Sequence, residues 1–161
     1  MIAQFDIDMM QKALKEADLA AGKNEVPIGA VAVLNGECIA TAHNLRESSQ
    51  DPFAHAECLL LKKVSERLNC WRLEGLEVYV TCEPCPMCAG ALLQARVKRL
   101  VYGCKDPKAG VCGSLYNFLE DKRFNHQVEV LGGVLEEECA ERLSLFFRQL
   151  RKLCKRTIEI W

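Results

Sequence analysis

His55 and the pair Cys85 and Cys88 are the residues whose types could hold a metal together. One imidazole and two thiolates form a ligand set that suits zinc. Three protein ligands leave a fourth tetrahedral position for water, and zinc lowers the pKa of that water toward neutrality. Glu57 follows His55 by two positions. A carboxylate beside such a water can take its proton and deliver it to a leaving group. A purely structural site would be closed by a fourth ligand and would have no use for Glu57. Cys82 complicates the reading, because Cys82, Cys85 and Cys88 form a Cys-x-x-Cys-x-x-Cys run that also occurs in iron–sulfur proteins. That pattern needs a fourth thiolate close behind, and the nearest is Cys104, sixteen positions on. Cys82 ends an apolar strand and reads as packing.

The elements that must position these groups follow from local pattern. Val78-Tyr79-Val80 reads as strand and Pro86 to Ala95 as helix, with Pro86 at a favoured first position. A helix start offers unpaired N–H groups and the positive end of the dipole, both of which stabilise thiolates. Ala54 to Leu68 reads as a second helix with Cys58, Leu61 and Val64 facing inward. On a regular helix His55 and Glu57 would diverge by about 200°, but at the helix mouth both can reach round a metal.

Around them, Asp6 to Ala21 is an amphipathic helix with Met9, Ala13, Ala17 and Ala20 on one stripe, stopped by Gly22. Pro27 to Leu34 and Glu37 to Asn44 are strands joined by the hairpin signal Asn35-Gly36. Leu45 to Phe53 is polar loop, and Gly75 closes the loop before the third strand. Arg99 to Gly103 is a fourth strand, and Asp106 to Gly113 a Gly-containing loop. Ser114 can cap a short helix over Leu115 to Leu119. Val128 to Leu131 is the fifth strand, and Glu136 begins a long last helix, basic toward its end. Strands alternating with helices after an opening hairpin give an α/β fold: three α/β/α layers, a five-stranded mixed sheet with helices on both faces. Ligands in such sheets usually sit in crevices at strand ends.

Composition sets the outer bounds. A chain of 161 residues, half apolar and about a quarter charged, suggests one domain spanning 1–161 with a substantial core. No apolar run approaches a membrane span, and the N-terminus lacks the basic and apolar regions of a signal peptide. The ten cysteines therefore point to a reducing cytoplasm, with most thiols, among them Cys38, Cys58, Cys70, Cys139 and Cys154, acting as small buried hydrophobes. A net charge of −1 confines any RNA contact to a local patch.

His-Ala-Glu followed by Pro-Cys-Pro-Met-Cys resembles the zinc-dependent nucleoside and nucleobase deaminases, the cytidine deaminase-like superfamily. Within that superfamily, Glu25 to Ala30, His43-Asn44, Glu83 to Ala91, Gly110 to Leu115, Phe124-Asn125-His126 and Phe146-Phe147-Arg148 are similar to the bacterial tRNA adenosine deaminases. The zinc signature is common to the superfamily, whereas the Gly-Ser-Leu, Asn-His and Phe-Phe-Arg elements point to the tRNA branch. Cys82 departs from the pattern, where an aliphatic residue is common.

The resemblance implies conversion of adenosine to inosine at the wobble position of a tRNA anticodon stem-loop, by a homodimer with one Zn2+ per subunit. His55, Cys85 and Cys88 become ligands. Glu57 becomes the acid and base that protonates N1, activates the water that attacks C6, and protonates the leaving ammonia. The resemblance also implies that Asn44 hydrogen-bonds the purine, the Ala56 backbone contacts the base, and Ile28 and Gly29 line the pocket. By position alone Asn44 reads as a strand-end or turn cap. For RNA, two local candidates stand out. Asp106 and Lys108 open the Gly-containing loop, and Phe147, Arg148, Arg151, Lys152, Lys155 and Arg156 lie on the last helix. A lone histidine such as His126 reads as a hydrogen-bonded loop residue. Two other readings stay open: a deaminase of free cytosine, guanine or nucleosides, and a non-catalytic zinc-stabilised binding module.

Overall fold

The computed structural model describes residues 1–158, with the side chains of 1–155. Five strands form one sheet in the order β2-β1-β3-β4-β5: β1 Gly29–Leu34, β2 Glu37–His43, β3 Glu77–Cys82, β4 Arg99–Cys104 and β5 Glu129–Gly132. β1 runs antiparallel to both β2 and β3, while β3, β4 and β5 are mutually parallel. The β1–β2 turn has positive φ at Asn35 and Gly36, as a two-residue type I′ hairpin requires.

Five helices complete the fold: α1 Gln4–Gly22, α2 Arg46–Ser49, α3 Ala56–Leu68, α4 Pro86–Gln94 and α5 Glu136–Ile158. Period-two alternation along the strands divides the core in two. Ala30, Ala32, Val78, Val80, Leu100 and Tyr102 face α3 and α4. Val31, Val33, Tyr79 and Val101 face α1 and α5. This is the expected three-layer arrangement, and the expected stripe Met9, Ala13, Ala17 and Ala20 is buried on α1.

Five local expectations are corrected. α3 begins at Ala56 rather than Ala54, because His55 has extended backbone (φ −76, ψ 151) and occupies the N-cap. Its buried face carries Leu60, Leu61 and Val64, while Cys58 is half-buried. The loop from Leu45 to Phe53 contains the short helix α2. Leu115 to Leu119 is not helical, because Ser114 donates its N–H and hydroxyl to Glu83 instead of capping a helix. All ten cysteines are free, but Cys70 and Cys154 are exposed rather than buried.

A buried ionic knot fastens α1 to the sheet. Arg99 makes two parallel bonds to the Asp6 carboxylate, at 2.8 and 3.0 Å, and Tyr79 donates to the same carboxylate at 2.9 Å. Among the described residues, no helix is long and apolar enough to cross a membrane.

Candidate active site

The site lies where α3 and α4 begin, beyond the end of β3. His55 is the N-cap of α3 and Cys85 the N-cap of α4, with Pro86 at the first position of that helix. Neither cap has a side-chain hydrogen bond to its own helix. Both imidazole and thiol are therefore left to face each other, and the free N–H groups of two helix ends converge on one spot. Because His55 precedes the helix, the angular divergence expected on a regular helix does not arise, and Glu57 follows in the first turn.

His55 Nδ1 lies 3.6 Å from Cys85 Sγ and 3.5 Å from Cys88 Sγ. The three ligand atoms lie within 4.8 Å of one another, the one such cluster of His, Cys, Asp and Glu among the described residues. On a tetrahedron with zinc–nitrogen bonds of about 2.0 Å and zinc–sulfur bonds of about 2.3 Å, nitrogen and sulfur ligands stand about 3.5 Å apart. The donor set and its spacing therefore fit a single tetrahedral metal. Cys82 does not join this cluster; it packs with Val101, Cys104 and Cys139, although it also reaches the cavity wall.

The electrostatics follow from burial and from close thiols. The Cys85 thiol is pulled down to about 4, chiefly by hydrogen bonding with Cys88 and also by His55, against its own burial. Cys88 is held up by hydrogen bonds to Cys58 and Cys85. The Cys58 and Cys88 sulfurs are 3.8 Å apart. His55 is raised, mainly by its bond to Cys85. Glu57 is only 4 % exposed, and burial pushes its carboxyl up to about 7. A metal bound here would favour the deprotonated form of both thiols.

A cavity of about 280 Å³ opens over this floor. Ile28, Asn44, Ala56, Glu57, Asp106 and Phe147 line it together with His55 and Cys85. Asn44 also caps the neighbouring turn: its Oδ1 accepts from the Arg46 N–H at 3.1 Å and its Nδ2 donates to the Val26 carbonyl at 3.3 Å. The turn-cap reading of Asn44 is thus observed, and the same residue stands on the cavity wall.

Gly29 is corrected. It stands behind the wall rather than in it, and a Cβ there would collide with the Ala13 and Ala17 backbone of α1. The glycine permits the helix to approach the sheet. Lys108, Arg148 and Arg151 also lie outside the cavity. They line an adjoining groove of about 750 Å³, which shares Asp106 and Phe147 with it. Phe147 is 40 % exposed and meets Phe146 edge-on at 5.5 Å. Lys152 and Lys155 are exposed, and the Arg156 side chain lies outside the described residues. His43 and His126 both make internal hydrogen bonds. His43 Nδ1 pairs with Glu16 at 2.6 Å, and His126 Nε2 donates to the Val97 carbonyl at 2.7 Å.

Two buried carboxylates carry no role in the sequence reading. Glu25 accepts from the N–H groups of Glu47 and Ser48 at the start of α2, and Glu83 gathers the loop after β4. Their only local signal is an acidic residue placed beside an apolar strand.

With the geometry established, comparison with known proteins is direct. The family model described as MafB19-like deaminase matches residues 5–151. The tRNA-specific adenosine deaminase of Bacillus subtilis (strain 168) is 59 % identical over 143 residues, covering 89 % of each chain. A structure from a study of A-to-I editing by tRNA:A34 deaminases at the wobble position has a TM-score of 0.81 and 43 % identity, covering 84 % of this chain and 99 % of the other. A guanine deaminase from Nitrosomonas europaea shares the fold at a TM-score of 0.77 and 20 % identity, covering 91 % of this chain and 85 % of the other.

Proposed function

The chain belongs to the tRNA-specific adenosine deaminases, and we propose from that premise how its site converts adenosine to inosine at the wobble position of a tRNA anticodon. The observation that carries the mechanism is the convergence of His55, Cys85 and Glu57 on one cavity large enough for a nucleobase. His55, Cys85 and Cys88 would hold one Zn2+, a reading their clustering supports. When bound, zinc makes water acidic enough to supply a hydroxide equivalent near neutral pH.

Glu57 manages the protons. Its buried carboxylate takes one from the attacking water and places one on adenine N1 while the water oxygen adds to C6. It then takes the remaining proton from the new C6 hydroxyl and delivers it to the exocyclic nitrogen, so that the C6–N bond breaks, the C6 carbonyl forms and ammonia leaves. Asn44 orients the purine edge, the Ala56 backbone contacts the base, and Ile28 supplies an apolar wall. Water becomes the new carbonyl oxygen, so the reaction consumes one water and releases one ammonia.

A base inside a folded anticodon loop reaches such a cavity only when splayed out. The groove carrying Lys108, Arg148 and Arg151 adjoins the cavity and shares Asp106 and Phe147 with it, which supports an RNA strand lying there with its target base turned inward. These cations make the local patch that a net charge of −1 demands. The whole chain is read as one deaminase domain and as a homodimer, the latter on family resemblance, with solution mass as its check. Ten free thiols support a reducing cytoplasm.

The test is inosine formation on an anticodon stem-loop with adenosine at the wobble position, run beside free adenosine, guanine and cytidine. Conversion of the stem-loop with little turnover of the free compounds is expected. Turnover of a free base without the stem-loop would move the chain to the small-molecule deaminases.

A further inference from the structure

Glu83 is a charged residue only 3 % exposed at the wall of the cavity, and the reaction derived above does not use it. Its carboxylate is nevertheless saturated. Oε1 accepts from the N–H groups of Cys112 at 3.0 Å and Ser114 at 2.9 Å. Oε2 accepts from the Asp106 N–H at 3.0 Å and from the Ser114 hydroxyl. A carboxylate offers about four acceptor sites, and a single loop fills them all.

The loop is drawn tightly onto this anchor. A side chain at Gly110 would collide with the Glu83 carboxyl. The Gly110 N–H closes on the Asp106 carbonyl at 2.8 Å, and the Val111 N–H on the Pro84 carbonyl at 3.1 Å. Asp106 Oδ1 accepts from the N–H groups of Lys108 and Ala109, which fixes the loop's first turn. That turn carries Asp106 and Ala109 to the cavity and Lys108 to the groove.

Glu83 itself lies between Cys82 at the end of β3 and the ligand Cys85. One buried carboxylate therefore joins the stretch that carries the metal ligands to the loop that faces the substrate. Loops outside the core ordinarily sample open states at low free-energy cost, and a charged hydrogen-bond anchor suppresses them.

We propose that Glu83 is a positioning residue: with both carboxylate oxygens taken up by the loop, it holds the 106–114 loop in register with the catalytic floor, so that Asp106 and Lys108 meet the nucleotides flanking the target base. The substrate side of this inference rests on the tRNA reading. Replacement by glutamine keeps one acceptor oxygen but offers an NH2 group to donors, so half the anchor is lost.

The experiment combines amide hydrogen exchange with steady-state kinetics on the anticodon stem-loop, for wild type, Glu83→Gln and Ser114→Ala in their zinc-loaded forms. Exchange at Asp106, Cys112 and Ser114 should rise at least about tenfold in Glu83→Gln, with β1 and β3 amides unchanged. KM should rise by about tenfold while kcat stays within about threefold, because the loop orients substrate and does not react. Ser114→Ala should show a smaller change of the same kind, and it keeps the test usable if Glu83→Gln does not fold. A fall in kcat with KM unchanged, or exchange rising equally across the sheet, would overturn the proposal. If wild type fails to convert the stem-loop, the tRNA reading falls. The exchange result then decides separately whether Glu83 holds the loop.

Discussion

His55, Glu57, Cys85 and Cys88 stand at the mouths of two helices whose bodies are sealed against the sheet, whereas Lys108, Arg148 and Arg151 stand exposed on a loop and on the outer length of α5. The first set has its geometry fixed by helix starts, N-caps and a buried core, so the three donor atoms converge on one point. The second set has no such confinement; its members meet only because the 106–114 loop and α5 pass the same side of the cavity. On the proposed reading, chemistry that tolerates little displacement is built on the enclosed floor, and contacts that must adapt to a splayed RNA loop are left at the rim.

The comparison breaks most visibly on the floor. His55→Ala or Cys85→Ala should lose bound zinc and all measurable turnover, and should lower the melting temperature, because the remaining donors cannot complete the set. Metal analysis beside a thermal melt checks this; a variant that kept stoichiometric zinc would remove that residue from the ligand set.

At the rim the expected effects are smaller and of another kind. Arg148→Ala and Arg151→Ala should each raise KM for the stem-loop several-fold, leave kcat nearly unchanged, and reduce the salt dependence of binding by about 0.7 in log–log slope per lost phosphate contact. Titration at several salt concentrations reads this directly. Equal weakening with no change of slope would mean that these arginines do not meet phosphate.

A third prediction concerns the frame beneath both regions. Hydrogen bonding to Arg99 holds the Asp6 carboxyl below its ordinary range, and Tyr79 adds to this against the effect of burial. The folded carboxyl is thus more acidic than the unfolded one. Its stabilisation is fully present above pH of about 4 and is lost as pH falls through the folded value. Asp6→Asn should cost about 1 to 3 kcal/mol at neutral pH and flatten the acid limb of stability, with turnover per folded molecule unchanged. Urea midpoints measured between neutral and acidic pH give the answer, and an unaltered acid limb would contradict the assignment.

The difference between floor and rim also explains what the sequence could tell. The clustered His55, Cys85 and Cys88 and the neighbouring Glu57 are legible because the proposed zinc and proton-transfer chemistry demands particular residue types at short spacings beside helix starts. The sequence pattern places the start of α3 two residues early, because a histidine at the N-cap carries none of the usual capping signals. Gly29 reads equally well as a close approach to a ligand or to a backbone, and the backbone of α1 takes that space. Ser114 before an apolar run looks like a helix start until Glu83, thirty-one positions earlier, claims its donors. The groove draws on residues from Asp106 to Arg151, and no local periodicity reports such a meeting.

The division of labour on the floor rests on Glu57 moving protons without holding the metal. The most direct test is Glu57→Gln, with zinc content and inosine formation on the stem-loop measured in the same preparation. Retained zinc with turnover reduced at least about a hundredfold is the expected result. Turnover close to wild type would contradict the account, and loss of zinc would make Glu57 a ligand instead.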